Sequence, residues 1–110
     1  KNALVTTGFA PEPLVQWEVC RQIQKESHGV RVSGCAALDL AYVACGRVDA
    51  FWEVDLQAWD VAAGLLLVRE AGGVVSDLAG QMAGLDSKNY LATSAALQPH
   101  LLAVLQPLSC

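Results

Sequence analysis

Glycine and proline cut this chain at regular intervals, and the pieces between them alternate in length and pattern. Residues 3–7 form a short β-type run closed by Gly8. Pro11-Glu12-Pro13 then opens a helix reaching about Ser27, with Gly29 as a C-cap signal just past its end. Residues 30–33 read as a second strand halted by Gly34, and the almost wholly apolar stretch 36–45, ending at Gly46, reads as a helix buried on most sides. Residues 49–54 make a third strand of aromatic and β-branched character. Asp60 is a natural N-cap for a helix over 61–71, which Gly72-Gly73 stops. Residues 74–78 and 89–93 read as two more strands around a Gly-bearing turn region, and a last helix begins near Pro99 and ends before Pro107. The order βαβαβαββα implies an α/β fold: a mostly parallel sheet of about five strands between helices on both faces, a layered α/β/α unit.

The charge content agrees with that order. Only 16% of the 110 residues are charged while 54% are hydrophobic, against a usual charged share of about 25%. A chain this size is one domain. With so little charge, its strands are buried on both faces, or it keeps an apolar face for a partner to cover. Eleven acids against seven bases give a net charge of −4, and no two basic residues are adjacent. That excludes a nucleic-acid binder, which needs clustered cations to displace counterions, and a membrane-surface helix with a cationic face. The uncharged stretch 89–110 contains Pro99, Pro107 and His100 and does not read as a membrane span. The run Ala3-Leu4-Val5 is too short for a signal peptide. Cys20, Cys35, Cys45 and Cys110 form no CxxC pair or zinc pattern; their number allows two disulfides, but in a chain with this much potential core free buried thiols in a reducing cytoplasm are the expectation. The chain begins at Lys1 and runs straight into a strand, which reads as a piece of something longer.

In open α/β sheets ligands bind beyond the carboxyl ends of the strands, and two such junctions carry chemistry here. Ser33-Gly34-Cys35-Ala36-Ala37 has the small residues that let backbone N–H groups approach an anion at a helix start. The same residues also suit a plain tight turn, and both readings stand. Cys35 is placed where a thiolate is stabilised, but no histidine is near in sequence and the Cys-x5-Arg pattern fails because position 41 is Ala. A small semi-buried residue is the better account of Cys35. At the second junction, Glu53, Asp55 and Asp60 offer three carboxylates within eight residues, a set able to hold a hard cation such as Mg²⁺. An ordinary N-cap is the plainer reading of Asp60, although one carboxylate can cap with one oxygen and bind a metal with the other.

The segment 34–53, running on into Trp59-Asp60-Val61-Ala62-Ala63-Gly64, Glu70-Ala71-Gly72-Gly73 and Val75-Ser76-Asp77, closely resembles the C-terminal half of the inositol monophosphatase family. The bacterial members, including those known as extragenic suppressors, are nearest, and the similarity covers essentially the whole chain. The resemblance implies Mg²⁺-dependent hydrolysis of a phosphate monoester, typically myo-inositol 1-phosphate, in a cytoplasmic protein that is commonly dimeric. It matches Asp60 to the aspartate that ligates a catalytic Mg²⁺ from this half. Glu53 matches the acid that bonds the substrate's ring hydroxyls, and Gly34, Cys35 and Ala36 match the small segment contacting phosphate and substrate. Cys35 stands where Ser, Thr or Ala is commoner, and Gln57 where some members carry His. The family's other metal ligands, including an Asp-Pro-Leu-Asp-Gly-type motif, and its water activation belong to an N-terminal half that these residues do not contain.

The resemblance implies that residues 1–110 are a single substrate-side half-domain, with no catalytic residue beyond the metal ligand and little or no turnover alone. A non-catalytic binding or assembly module, or a relative acting on 3′-phosphoadenosine nucleotides or fructose bisphosphate, is the alternative. A thiol enzyme built on Cys35 is the third and weakest reading.

Overall fold

Short strands with apolar residues on both faces require a helix layer on each side, and the fold follows from that requirement. The structure, a computed structural model, describes residues 2–8 and 15–106. In chain order the elements are β1 (Leu4–Thr7), α1 (Val15–Glu26), β2 (Gly29–Val32), α2 (Ala36–Ala44), β3 (Ala50–Glu53), α3 (Ala58–Glu70), β4 (Val74–Ser76), β5 (Tyr90–Thr93) and α4 (Gln98–Leu105). The order read from the sequence is the order observed. The proposed opening of α1 at Pro11-Glu12-Pro13 lies outside the described residues.

The sheet runs β2-β1-β3-β5-β4. β1 pairs parallel with β2 and β3, whereas β5 pairs antiparallel with β3 and β4. Four strands therefore share one direction and β5 alone opposes them, so the sheet is mostly but not wholly parallel. The reason is the connection. The stretch between β4 and β5 contains no helix, and without a crossover the chain can return only antiparallel.

Between β1, β2 and β3 the chain steps one way across the sheet and then back past its start. Right-handed crossovers put the two connecting helices on opposite faces when that happens. Accordingly Val19 and Ile23 of α1, with Leu101 and Leu105 of α4, pack on Val5, Ala50, Trp52 and Leu91. Leu40 of α2, with Val61, Leu65 and Val68 of α3, packs on Phe51, Val75, Tyr90 and Ala92. Consecutive β3 residues thus alternate between the two cores, as the period of a strand demands. Gly64 lets α3 lie close against α2: a Cβ there would stand 2.5 Å from the Cβ of Leu40.

Two helix ends close as the sequence indicates. Gly46 and Gly72 take positive φ just past α2 and α3, and the bonds Arg47 N to Tyr42 O (2.9 Å) and Gly73 N to Val68 O (2.9 Å) complete Schellman closures. Gly29 differs from expectation. It is the first residue of β2, buried and in register with Leu4, rather than a cap on α1. Pairing with β1 satisfies its backbone in place of the helix. The topology leaves an opening at the carboxyl ends of β1 and β3, whose following helices, α1 and α3, lie on opposite faces of the sheet.

Candidate functional site

Glu53 ends β3 on the face shared with α2 and α3, because it alternates with Trp52, which faces the other core. Its carboxylate lies against the end of β1: a Cβ on Gly8 would stand 2.5 Å from Glu53 Oε1. Only a residue without a side chain leaves room for that acid. Burial raises the Glu53 carboxyl from its ordinary 4.5 to about 7, with further upward pushes from the nearby charges of Asp39 and Asp60.

Asp60 differs from its expected position. The helix starts three residues earlier, with Gln57 in extended conformation as its N-cap, and Asp60 is the third helical residue. Its Oδ2 accepts the Gln57 N–H at 3.0 Å, the acid side of a capping box. Capping by a neighbour displaces Asp60 from the cap itself but keeps it at the positive end of α3. Gln57 also accepts a bond from Lys88 Nζ (3.5 Å), which ties the entry of α3 to the β4–β5 connection.

Ser33-Gly34-Cys35 makes the turn between β2 and α2. Gly34 has φ +84°, which a side chain would strain. Ser33 Oγ accepts the Cys35 N–H at 3.1 Å and donates to Asp39 Oδ1 at 2.8 Å. Ser33, Gly34 and Cys35 are exposed and Ala36 half-buried. Asp39 is 1% exposed, and burial raises its carboxyl while hydrogen bonds from Ser33 and Thr6 oppose the rise.

The structure therefore brings together the end of β1, the turn before α2, Glu53 and Asp60. Asp55 does not complete the carboxylate set expected from the sequence. It is exposed, its backbone turns through φ 61°, and the acids acting on Glu53 are Asp39 and Asp60. Sequence reasoning passed over Asp39. The signal was there: it is the single charged residue in nine of an otherwise apolar helix, and a lone acid in such a helix needs buried partners.

Asp60 suits a hard cation, since it offers carboxylate oxygen at a half-buried position with only Oδ2 engaged by the helix. Among the described residues no three of His, Cys, Asp and Glu are grouped to hold a metal ion. The chain thus carries part of a donor set. The thiol reading has no geometric support, because His28 precedes β2 while Cys35 follows it, at opposite ends of the strand. Cys20, Cys35 and Cys45 are free thiols, and Cys110 lies outside the described residues. No described helix is long and apolar enough to cross a membrane.

In this α/β/α protein Glu53, Asp60 and the buried Asp39 lie close enough for their charges to interact, at the carboxyl end of a strand, the side on which open α/β sheets bind ligands. The profile of the inositol monophosphatase family matches residues 6–109, and the chain belongs to that family. It is 60% identical over 97 residues to the Nus factor SuhB of Escherichia coli K12, covering 84% of this chain and 34% of that protein. It is 57% identical over 90 residues to an inositol-1-monophosphatase of Mesorhizobium japonicum, covering 81% and 34%. Among solved structures, the inositol monophosphatase of Anabaena superposes with a TM-score of 0.90 at 38% identity, covering 96% of this chain and 44% of that one. The extragenic suppressor protein SuhB of Bartonella henselae gives 0.90 at 42% identity, covering 96% and 42%. The chain spans about a third of the length of the curated relatives it matches.

Proposed function

We propose that this chain is the substrate-side half-domain of a Mg²⁺-dependent phosphatase acting on a small phosphate monoester, myo-inositol 1-phosphate first among them. The reading is supported by Glu53, whose carboxylate lies against Gly8 and feels the charges of Asp39 and Asp60, while Asp39 is hydrogen-bonded to Ser33 at the turn that runs into Gly34, Cys35 and Ala36. Asp60 would hold the ion, with the remaining ligands supplied by a missing N-terminal half. Bound there, the ion supplies positive charge that polarises the phosphoester and acidifies a water. The chain's own residues bind and orient. Glu53 accepts ring hydroxyls, and the small residues at the start of α2 admit the ester close to the backbone N–H groups. The free thiols agree with a reducing, cytoplasmic setting.

A binding or assembly module without turnover is the second reading. It is favoured by the exposed Leu38, Leu66 and Leu67 on α2 and α3, and by relatives that carry the name Nus factor.

Four measurements test these readings. The DNA upstream of the Lys1 codon should encode, in frame, an Asp-Pro-Leu-Asp-Gly-type motif, and the protein so encoded should release phosphate from myo-inositol 1-phosphate with Mg²⁺. Asp60→Asn in that protein should cut turnover by about a hundredfold or more with an unchanged circular dichroism spectrum, as loss of a metal ligand does. Unchanged turnover refutes the metal role. The 110-residue chain alone should show no Mg²⁺-dependent hydrolysis, because one carboxylate cannot hold a catalytic metal centre, and measurable turnover would overturn that assignment.

A further inference from the structure

Asp39 is buried, and burying a carboxylate costs free energy unless it is hydrogen-bonded. The fold accepts that cost beneath one particular turn. Ser33 Oγ donates to Asp39 Oδ1 at 2.8 Å and, with its lone pair, accepts the Cys35 N–H at 3.1 Å. Thr6 of β1 also favours the charged form of that carboxylate. Asp39 thus ties the residue before Gly34 directly and, through Ser33, the residue after it. Gly34 sits between those two ties with φ +84°, and a Cβ there would meet nothing within 4 Å. No packing holds the turn from that side, so the hydrogen-bond chain does.

We propose that Asp39 is a positioning residue: acting through Ser33, it fixes the Gly34-Cys35-Ala36 turn in the single conformation that receives substrate. The clamp also sets what the turn offers. The Cys35 N–H is consumed internally, so the backbone donors left to a ligand are those further into α2, and their direction depends on Ser33 staying in place. This rests on the proposed substrate contact of residues 34–36 for its functional half and on the geometry alone for its structural half.

Amide hydrogen exchange in the 110-residue chain tests the structural half. Asp39→Ala and Ser33→Ala should each speed exchange at Cys35 about tenfold, the size expected for one lost hydrogen bond of ordinary strength. The amides of Phe51 and Leu91, in the central strands, should not change. Asp39→Asn retains a carbonyl acceptor for Ser33 and should restore slow exchange, which a merely structural loss of charge would not do. Unchanged exchange at Cys35 in Asp39→Ala overturns the proposal whatever the chemistry of the site. So does acceleration spread equally over Cys35, Phe51 and Leu91, since that reports a weakened core. In the complete phosphatase, Asp39→Ala should raise KM for myo-inositol 1-phosphate several-fold more than it lowers kcat, with recovery in Asp39→Asn. A loosened turn with unaltered KM keeps the clamp and overturns the substrate-contact reading instead.

Discussion

Glu53 answers to two demands that conflict. Its place at the strand end leaves the carboxylate half-exposed, which favours charge, and its surroundings, packed against Gly8 with Asp39 and Asp60 nearby, resist the charged form. The folded chain therefore holds the Glu53 proton up to about pH 7, while the unfolded chain releases it near 4.5. A folded-state pKa above the unfolded value gives stability that is full below 4.5 and is lost as pH rises through 7. Burial raises Asp39 in the same sense. The melting temperature of the chain should accordingly fall between pH 5 and pH 8. The loss should be about 1 kcal/mol once solvent screening at this half-exposed group is allowed for. Glu53→Gln should flatten most of that slope in calorimetric scans across the range, and an undiminished slope would assign the effect elsewhere. Glu53 and Asp60 stand out in the sequence as acids at a strand end and a helix start in a chain with so little charge. Asp39 is marked too, as the lone acid of an apolar helix, but its partner Ser33 lies before that helix and only the folded chain places the two together.

Helix contact explains a part of the sequence that the site does not. In Trp59-Asp60-Val61-Ala62-Ala63-Gly64 the aspartate caps the start of α3, whereas the final glycine serves packing. An added methyl at Gly64 would stand 2.5 Å from both Cβ and Cδ1 of Leu40, itself fully buried. Leu40 has nowhere to retreat, because Phe51, Val61 and Leu65 belong to the same core. Gly64→Ala should therefore destabilise the chain by about 1–3 kcal/mol, the range for overpacking, despite the better helix propensity of alanine. Urea unfolding checks it. An Ala63→Gly control, one residue earlier on the exposed side, should cost only about 1 kcal/mol through propensity. A Gly64→Ala protein as stable as the parent chain would mean that α2 and α3 can slide apart freely. Helix ends were readable wherever glycine follows them. The start of α3 was misplaced by three residues because Gln57 is a weak cap signal and Asp60 a strong one, yet both belong to one capping arrangement.

At the scale of the whole molecule the low charge has two causes, and the sequence alone could not separate them. One is the sheet: β3 and β5 are buried on both faces, so nearly all their residues are apolar. The parallel part of the sheet was legible from that, and the reversed β5 was not, because a three- or four-residue strand carries no mark of its direction. The other cause is the outer side of α2 and α3. Trp59, Leu66 and Leu67 are 79%, 62% and 48% exposed along α3, and Leu38 is 42% exposed on α2. Positions 59, 62, 63, 66 and 67 follow helical spacing, so α3 carries a second apolar stripe facing away from its own core. A helix apolar on both sides is suited to an interior layer, which agrees with a chain spanning about a third of its curated relatives. Without a covering layer that stripe favours burial against a second copy. The purified 110-residue chain should sediment as a dimer or larger species at micromolar concentration and bind an apolar dye, and Leu66→Glu with Leu67→Glu should yield a dye-silent monomer with the same melting temperature. Both positions are exposed, so their charge costs the fold little while removing the reason to associate. A dye-silent monomer of the unaltered chain in dilute buffer would mean that the stripe needs no cover, and the interior-layer account of α2 and α3 would fall with it.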